Sequence, residues 1–207
     1  MSIKKRGMFI TFEGAEGSGK STQIKRAETF LKEKGHNVVI FREPGSTRIS
    51  ESIREIILNK EFTEMSSNTE LLLYLAARAQ LVHEKIWPAL KSGKTVICDR
   101  FEDSTWAYQG YGRGFDLKTI DKVSFELVRC DMKPDLTILL DIDPEKGMKR
   151  GGRHDRMEKQ SIQFHRKVRE GFKDIARKNP KRCVMIDASQ PLGAVTQKVK
   201  EVLERVV

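Results

Sequence analysis

Residues 8–21, MFITFEGAEGSGKS, decide the fold, because a short apolar run leads directly into a glycine-rich loop. Gly14, four further residues and Gly19-Lys20-Ser21 match the phosphate-binding loop, or P-loop, in which glycines let backbone N–H groups converge on phosphate oxygens. The positive end of the following helix adds to this attraction. We expect Lys20 to bridge the β- and γ-phosphates of a nucleoside triphosphate and Ser21 to bind Mg²⁺. The residues expected to contact ATP here are Gly14, Ala15, Glu16, Gly17, Ser18, Gly19, Lys20, Ser21 and Thr22.

Further apolar runs follow along the chain without polar alternation, as is typical of strands buried on both faces of a parallel sheet. The predicted strands are residues 8–12, 37–41, 95–98, 136–141 and 184–187. Amphipathic segments between them predict helices near residues 19–34, 48–58, 68–91, 118–130, 158–178 and 191–206. This alternation predicts an α/β fold with a five-stranded parallel sheet, helices on both of its faces, and a single domain over residues 1–207.

Composition limits the protein class more than the function. The 207 residues carry a formal net charge of +10, which is compatible with nucleic-acid binding or with a polyanionic small substrate. No run of 18 apolar residues predicts a membrane span, and the N-terminus does not have the form of a signal peptide, so we expect a cytoplasmic protein. Cys98, Cys130 and Cys183 have no metal-ligand spacing and are expected to be reduced thiols.

Three other segments follow predicted strands and carry candidate site residues. Asp99 ends the third strand, where it could hold Mg²⁺ opposite Ser21, or could only form a turn. Arg42 precedes a Pro-Gly turn and would face the same edge of the sheet. The basic segment 145–159 is interrupted by two glycines, which favours an arginine-bearing lid over a solvated basic face.

The P-loop and several later motifs together resemble the thymidylate kinases, within the nucleoside-monophosphate kinase family, over nearly the whole chain. The motifs, in order, are Phe12-Glu13-Gly14, Arg42-Glu43-Pro44-Gly45, Tyr74-Leu75-Ala76-Ala77-Arg78, Asp99-Arg100-Phe101, Ala107-Tyr108-Gln109-Gly110 and Asp155-Arg156. The resemblance implies a P-loop nucleotide-kinase fold with a short basic lid. It also implies Mg²⁺-dependent transfer of the γ-phosphoryl group of ATP to dTMP, and a homodimer.

The resemblance also implies roles for individual residues. Tyr74 would stack on thymine and Arg78 would bond its O4 carbonyl, since an arginine offers only donors and therefore rejects the amino group of cytosine. Arg150 would cover the adenine of ATP. The other implied substrate contacts are Glu16 on the sugar 3′-hydroxyl, Arg42 and Arg100 on the acceptor phosphate, Ser104 and Thr105 near thymine N3, Tyr108 under the sugar, and Gln109 in the same motif.

One position distinguishes two types within this family. Some members carry a catalytic arginine inside the P-loop, where this chain has Gly17. The bacterial type places the arginine in the lid, and Arg153 matches it. The predicted catalytic residues are therefore Lys20, Asp99, Arg100 and Arg153. Two positions depart from the usual pattern. The tripeptide after Pro44 is commonly Gly-Gly-Thr, whereas here Ser46 takes the place of the second glycine. The Asp99-Arg100 pair is followed by Phe101, where Tyr or His is usual.

Other functions stay open at this point. A P-loop kinase with a hydroxyl acceptor would need a base, for which Glu16 or Glu43 could serve. A GTPase-like switch would need an Asn-Lys-x-Asp segment, which the sequence lacks. A nucleic-acid-binding protein would need a basic face with aromatics, which are only 7% of residues. Segment 68–91 is apolar nearly all round, which indicates either contact with a second subunit or deeper burial in the monomer.

Overall fold

A parallel sheet of five strands forms the centre of the molecule in the computed structural model, which describes residues 6–129, 132–150 and 155–206. The strands are β1 Phe9–Glu13, β2 Val38–Arg42, β3 Thr95–Asp99, β4 Leu136–Asp141 and β5 Cys183–Asp187. Each predicted strand agrees with the observed one to within one residue at either end. The α/β class and the five-stranded parallel sheet are therefore confirmed.

The strand order β2-β3-β1-β4-β5 explains the apolar runs and locates the site. All five residues of the central strand β1 are buried, whereas burial alternates along the edge strand β2. The connection after β1 leads to β2, while the connection after β3 crosses to β4 on the other side of β1. In open parallel sheets, ligands bind beyond the carboxyl ends of the strands where the connections reverse in this way.

Helices cover both faces of the sheet. Their bounds are α1 Lys20–Glu33, α2 Arg48–Leu58, α3 Ser67–Leu81, α4 Trp87–Lys91, α5 Glu102–Thr105, α6 Leu117–Ser124, α7 Pro144–Arg150, α8 Ile162–Lys178 and α9 Leu192–Glu204. Wider π-helical turns extend three of them, at Val82–Ile86, Trp106–Gly112 and Phe125–Arg129.

The hydrophobic core is divided by the sheet. On one face, Ile10 and Phe12 of β1 pack against α1 and α9. On the other face, Phe9 packs against α3, α4 and the turn between them, while Leu139 of β4 packs against α8. Because side chains alternate across a strand, β1 supplies both halves of the core.

Local sequence explains where several helices begin. Thr47, Ser66 and Ser161 each accept a hydrogen bond from a backbone N–H one turn into α2, α3 and α8, respectively. Helix α1 is different, because Gly19 precedes it in a left-handed conformation and no side chain caps it. Its first N–H groups are therefore left for a ligand.

Two helical segments differ from the expectation. Residues 102–112 are helical, although the sequence analysis predicted no helix there. The predicted lid, residues 145–159, begins within helix α7, which was not among the predicted helices. In the described part of the chain, no helix is both long and apolar enough to cross a membrane.

Candidate active site

A cavity of about 610 Å³ opens at the carboxyl edge of the sheet, where the segments after β1, β2 and β3 meet. Most of the predicted site residues line it. These are Glu16, Gly17, Ser18, Gly19, Lys20, Ser21, Thr22, Arg42, Tyr74, Arg78, Asp99, Arg100, Ser104, Thr105, Tyr108 and Gln109. The predicted ATP-binding residues Gly14, Ala15 and Arg150 do not line the cavity. The others lie beside the residues that were predicted to bind the acceptor.

Glycine is required in the P-loop by its backbone geometry. Gly14 and Gly17 have φ angles of 140° and 68°, which side chains strongly disfavour. A Cβ atom on Gly14 would lie 2.4 Å from the carbonyl oxygen of Leu140 in β4. The loop therefore packs directly against the neighbouring strand and is held in one position relative to the sheet.

The ammonium group of Lys20 closes the P-loop on itself. Its Nζ donates to the carbonyl oxygens of Gly14 and Ala15 at 3.0 and 3.1 Å. Burial and the charge of Arg100 lower the pKa of Lys20 to about 8, against the opposing effect of Glu16 and Asp99. The lysine is therefore mainly protonated at neutral pH and can attract phosphate.

Arg100 connects the P-loop to the acceptor side of the cavity. Its Nη1 donates to the Gly14 carbonyl oxygen at 2.9 Å and to the Ser104 hydroxyl at 3.2 Å, while Nη2 donates to Glu16 at 2.7 Å. The φ angle of Arg100 is 71°, in the left-handed region that non-glycine residues rarely adopt. These hydrogen bonds hold the guanidinium at the end of β3 in spite of the backbone strain.

Glu16 is an acid that stays ionised inside the cavity wall. Burial alone would raise its pKa, but Arg100, Lys20 and the hydroxyl of Tyr108 outweigh burial and lower the pKa to about 2. Tyr108 donates to the same carboxylate oxygen as Arg100, at 2.9 Å. The carboxylate is therefore a fixed acceptor and a very weak base.

Glu13 is buried directly behind the P-loop. Its carboxylate oxygens accept from the backbone N–H of Phe101 and from the hydroxyl of Ser104. Burial and the nearby charge of Asp103 raise the pKa of Glu13 to about 8. The side chain is therefore largely protonated at neutral pH.

The acceptor side of the cavity is built on one face of α3. Tyr74 and Arg78 lie four residues apart and both reach the cavity. The Arg78 side chain is 2% exposed, with its Nε donating to Glu43 at 2.7 Å and its Nη2 to the carbonyl oxygen of Phe101 at 3.0 Å. Among the described residues, its Nη1 has no hydrogen-bond partner. Because Arg78 also lines the cavity, this buried nitrogen is the candidate hydrogen-bond donor for a ligand there.

Burial and the Glu43–Arg78 ion pair act in opposite directions on the pKa of each partner. Burial raises the pKa of Glu43 to about 7, although Arg78 opposes the shift. Burial opposes the charge of Arg78, but Glu43 outweighs it and raises the arginine pKa. Glu43 belongs to the Arg42-Glu43-Pro44-Gly45 motif, but the sequence does not predict that it holds this arginine.

Two predicted residues have protein partners of their own. Arg42 donates from Nη2 to both carboxylate oxygens of Glu51 in α2, at 2.9 and 2.8 Å. The hydroxyl of Ser104 lies between Arg100 and Glu13, as described above. The expected contacts of Arg42 with phosphate and of Ser104 with thymine therefore stay predictions.

The lid segment is anchored at both of its described ends. At the α7 end, Arg150 donates to the carbonyl oxygen of Ala188, just after β5, at 2.9 Å. At the other end, Arg156 donates to the carbonyl oxygen of Ile57 and forms an ion pair with Glu70, both at 2.8 Å. Arg153, the predicted catalytic arginine, lies outside the described residues.

Helix α7 rests directly on the P-loop through two glycines. A Cβ atom on Gly17 would lie 1.9 Å from the carbonyl oxygen of Gly147, and one on Gly147 would lie 2.3 Å from the carbonyl oxygen of Glu16. Ordinary contacts of a Cβ atom begin near 3.4 Å. Neither position can therefore carry a side chain while the loop and the helix stay in this contact.

Sequence reasoning missed part of the cavity wall. The lining residues that were not singled out are Arg54, Leu58, Met157 and Glu158, while Glu43, Pro44 and Asp155 belong to the quoted motifs without a predicted substrate contact. The buried acid Glu70 was also missed, although it precedes Tyr74 by four residues and therefore shares the same face of α3. That spacing was the available signal.

Comparison with known proteins gives a consistent result. A protein-family model described as thymidylate kinase matches residues 12–199. A thymidylate kinase of Thermoanaerobacter sp. (strain X514) is 46% identical over 97% of this chain and 98% of its own length. One from Geotalea uraniireducens is 49% identical over 89% of this chain and 90% of its own. The crystal structure of thymidylate kinase from Ehrlichia chaffeensis superposes with a TM-score of 0.78 at 40% identity, covering 96% of this chain and 99% of that one.

Proposed function

The chain belongs to the thymidylate kinase family and transfers the γ-phosphoryl group of ATP to dTMP, and we propose that it does so by neutralising phosphate charge instead of removing a proton. The observation that carries this proposal is the single cavity in which the P-loop faces the Tyr74–Arg78 side of α3. A phosphoryl donor and a nucleotide acceptor can meet there within one enclosure.

The acceptor needs no general base. The second pKa of a phosphate monoester is near ~6, so the phosphate of dTMP is mainly a dianion at neutral pH and is already a nucleophile. Two of the carboxylates in the cavity agree with this chemistry. Glu16 is held by Arg100 and Tyr108 with its pKa near 2, and Glu43 is engaged with Arg78. A kinase for a hydroxyl acceptor would instead need a carboxylate that is free to take a proton.

The main barrier is the repulsion between two polyanions, together with their alignment in line. We assign Lys20 to the β- and γ-phosphates, and Arg42 and Arg100 to the acceptor phosphate. Arg153 would reach the transferring group from the lid. The hydrogen bonds of Arg100 to Gly14 and Glu16 support its part in this set, because they fix the cation before substrates bind.

Ser21 and Asp99 suit a magnesium ion. Both line the cavity and both offer oxygen ligands, which Mg²⁺ prefers. No cluster of three or more His, Cys, Asp or Glu in the described residues could hold a metal by itself, which fits an ion that keeps waters and phosphate oxygens as ligands. When bound, Mg²⁺ would neutralise charge on the phosphates of ATP.

The remaining site residues are assigned to the nucleosides. Tyr74 would stack on the base, and the free Nη1 of Arg78 would donate to its O4 carbonyl. Glu16 would accept from the sugar hydroxyl. Arg150 stays assigned to the adenine side, where its contact with Ala188 places it near the end of β5. The other proposed substrate contacts are Ser104, Thr105, Tyr108 and Gln109.

A coupled assay with ATP and a panel of monophosphates tests the proposal. We expect dTMP to give the highest kcat/KM, with dUMP next and with dCMP, UMP and AMP far lower. The discrimination against dCMP follows from Arg78, which can only donate hydrogen bonds. A preference for AMP or dCMP would contradict the assignment of Arg78 to the base and, with it, the proposed acceptor.

We also propose that the protein is a cytoplasmic homodimer. Support for the dimer comes from apolar side chains on three neighbouring elements, α2, α3 and Phe125–Arg129. Leu72 is 62% exposed and Leu127 is 74% exposed. The cytoplasmic assignment is supported by nucleotide substrates and by the free, buried thiols of Cys98 and Cys183. Cell fractionation would test it.

A further inference from the structure

We propose that Glu70 is a positioning residue for base specificity. Glu70 holds the amide nitrogen of Gln109, which leaves the amide oxygen of Gln109 for the bound base. This inference rests on the proposed function, since it concerns how the same cavity selects among nucleoside monophosphates. Glu70 does not line the cavity. It would act only through Gln109, which does.

The position of Glu70 follows from the face of α3 that builds the acceptor side. Glu70, Tyr74 and Arg78 are spaced four residues apart, which places them one above the other on the helix. The side chain of Glu70 is 1% exposed and meets Gln109, which comes from the π-helical turn Trp106–Gly112. The Nε2 of Gln109 donates to Glu70 at 3.0 Å.

Glu70 remains an ionised acceptor at neutral pH. Arg113 donates to both of its oxygens, at 3.1 and 2.9 Å, and Arg156 pairs with it at 2.8 Å. Burial opposes its ionisation, but the hydrogen bonds of Arg113 and Gln109 and the charges of both arginines outweigh burial and lower its pKa. An ionised carboxylate can only accept hydrogen bonds. Gln109 must therefore turn its NH₂ group toward Glu70.

This constraint settles an orientation that a glutamine alone leaves open. The two ends of an amide have nearly the same shape, and only hydrogen-bond partners decide which end points where. Because the Nε2 end of the Gln109 amide faces Glu70, the opposite end, Oε1, is the end left for a ligand, and it is an acceptor. Arg78 contributes the opposite kind of group, because its buried Nη1 is a donor with no partner among the described residues.

Arg78 and Gln109 thus offer one donor and one acceptor to the base. Thymine and uracil present a carbonyl oxygen and an adjacent ring N–H, which complement this pair. Cytosine presents an amino group and a ring nitrogen that accepts, which is the reverse pattern. A site that holds polar groups for one pattern rejects the other, because its own groups would be left unpaired. Glu70 would therefore determine, through Gln109, that the second group facing the base is a hydrogen-bond acceptor.

The test is Glu70→Gln, with kcat/KM measured for dTMP, dUMP and dCMP. A glutamine at 70 can both donate and accept, so Gln109 can pair with it in either orientation. We expect the ratio of dTMP to dCMP to fall by about tenfold or more, the scale of one hydrogen bond. The ratio of dTMP to dUMP should not change, because the two bases present the same edge. A purely structural loss would lower all three rates in proportion and would contradict the proposal.

Asp103→Asn provides a matched control. Asp103 is also a buried acid, and it forms two 2.7 Å hydrogen bonds with Arg182 away from the cavity. Its substitution should lower Tm and leave the ratio of dTMP to dCMP unchanged. An equal fall in that ratio would show a general effect of losing a buried acid, and the inference would be wrong.

A double variant addresses the stability of the cluster. The cluster of Glu70, Arg113 and Arg156 carries one net positive charge. The double variant Glu70→Gln with Arg113→Gln removes one negative and one positive charge, so the net charge of the cluster stays the same. We expect the ratio of kcat/KM for dTMP to that for dCMP to fall in the double variant as it does in Glu70→Gln. If neither the single nor the double variant folds, Glu70 is required for folding and its assignment to base specificity is wrong. Measurements on the unmodified protein also distinguish the proposed function from the role of Glu70. Absence of any preference for dTMP and dUMP over dCMP contradicts the proposed function, whereas a preference that survives both variants contradicts only the role of Glu70.

Discussion

At the scale of single residues, Glu13 combines full burial with a titration near neutral pH. Its pKa rises from an ordinary 4.5 to about 8, so the folded protein holds a proton there that the unfolded chain releases. The contribution of this group to stability is complete below pH 4.5 and is lost as the pH rises through about 8. The phosphate-binding loop therefore lies beside a group that weakens the fold as the pH rises.

We predict that Glu13→Gln removes this dependence, since glutamine is neutral at every pH and can still accept from Phe101 and bond Ser104. The free energy of unfolding of the variant should improve relative to the original protein as the pH is raised from 6 to 8. Urea denaturation at pH 6, 7 and 8 measures it, with the exposed Glu33→Gln as control. Parallel pH curves for the two proteins would contradict a protonated Glu13.

Arg153 is predicted to be a catalytic residue from the sequence alone. We predict that Arg153→Ala lowers kcat by a factor on the order of 10³, the scale of an arginine that stabilises a transferring phosphoryl group. Steady-state kinetics with saturating ATP and dTMP measure the effect. Lys159→Ala is the control, because Lys159 is an exposed basic residue of the same segment. Near-normal turnover of Arg153→Ala would exclude the lid assignment.

At the scale of elements, the contact between α7 and the P-loop should govern turnover. We predict that Gly147→Ala lowers kcat about 10²-fold, because a methyl group 2.3 Å from the Glu16 carbonyl oxygen must push the two elements apart by about 1 Å. Arg150, three residues along α7, would move with the helix. Stopped-flow and steady-state kinetics measure the loss.

Gly193→Ala is the matched control for this prediction. Gly193 lies in α9 and has no atom within 4 Å of an added Cβ. Its substitution should leave kcat unchanged and stabilise the helix by up to about 1 kcal/mol. If Gly147→Ala lowered only Tm, the contact would matter for folding and not for the position of α7.

The elements also show what sequence can and cannot predict. The strands were predictable because runs such as FITFE are fully buried, and β2 through β5 carry similar apolar runs. Residues 102–112 were missed because the run EDSTWAYQGYG has two glycines and several polar residues, which disfavour an ordinary helix. Its π-helical turns are held by tertiary packing against α8, and they place Tyr108 and Gln109 at the cavity.

The residues of the candidate site were also predictable only in part from the sequence. The sequence, through the P-loop pattern and the resemblance to the thymidylate kinases, predicted most of the residues that line the cavity, including Tyr74 and Arg78, which the resemblance alone implied. It could not predict Glu43 as the partner of Arg78, since that ion pair joins residues 35 positions apart. Such pairings depend on where the sheet brings β2 and α3 together, which local sequence does not encode.

At the scale of the whole molecule, the exposed apolar side chains on α2, α3 and Phe125–Arg129 predict a dimer. A stable interface buries about 1,200–2,000 Å² in total, so a face of several helices is needed. We expect sedimentation velocity at micromolar concentration to show a dimer, and Leu72→Lys or Leu127→Lys to shift it toward monomer. Met185→Lys, at an exposed apolar residue on edge strand β5, should leave the dimer intact. A monomeric original protein would refute the assignment.

The close approach of Gly17 to Gly147 also constrains how such a protein can evolve. The Gly147 backbone occupies the space where a Cβ at position 17 would lie, and the Glu16 carbonyl occupies the space where a Cβ at position 147 would lie. A side chain at either position therefore requires α7 to move away from the loop. A lineage with an arginine at position 17 must lose that side chain before α7 can settle on the loop. After α7 has settled, the arginine cannot return unless the helix withdraws. The shift of a catalytic arginine from loop to lid would therefore be difficult to reverse.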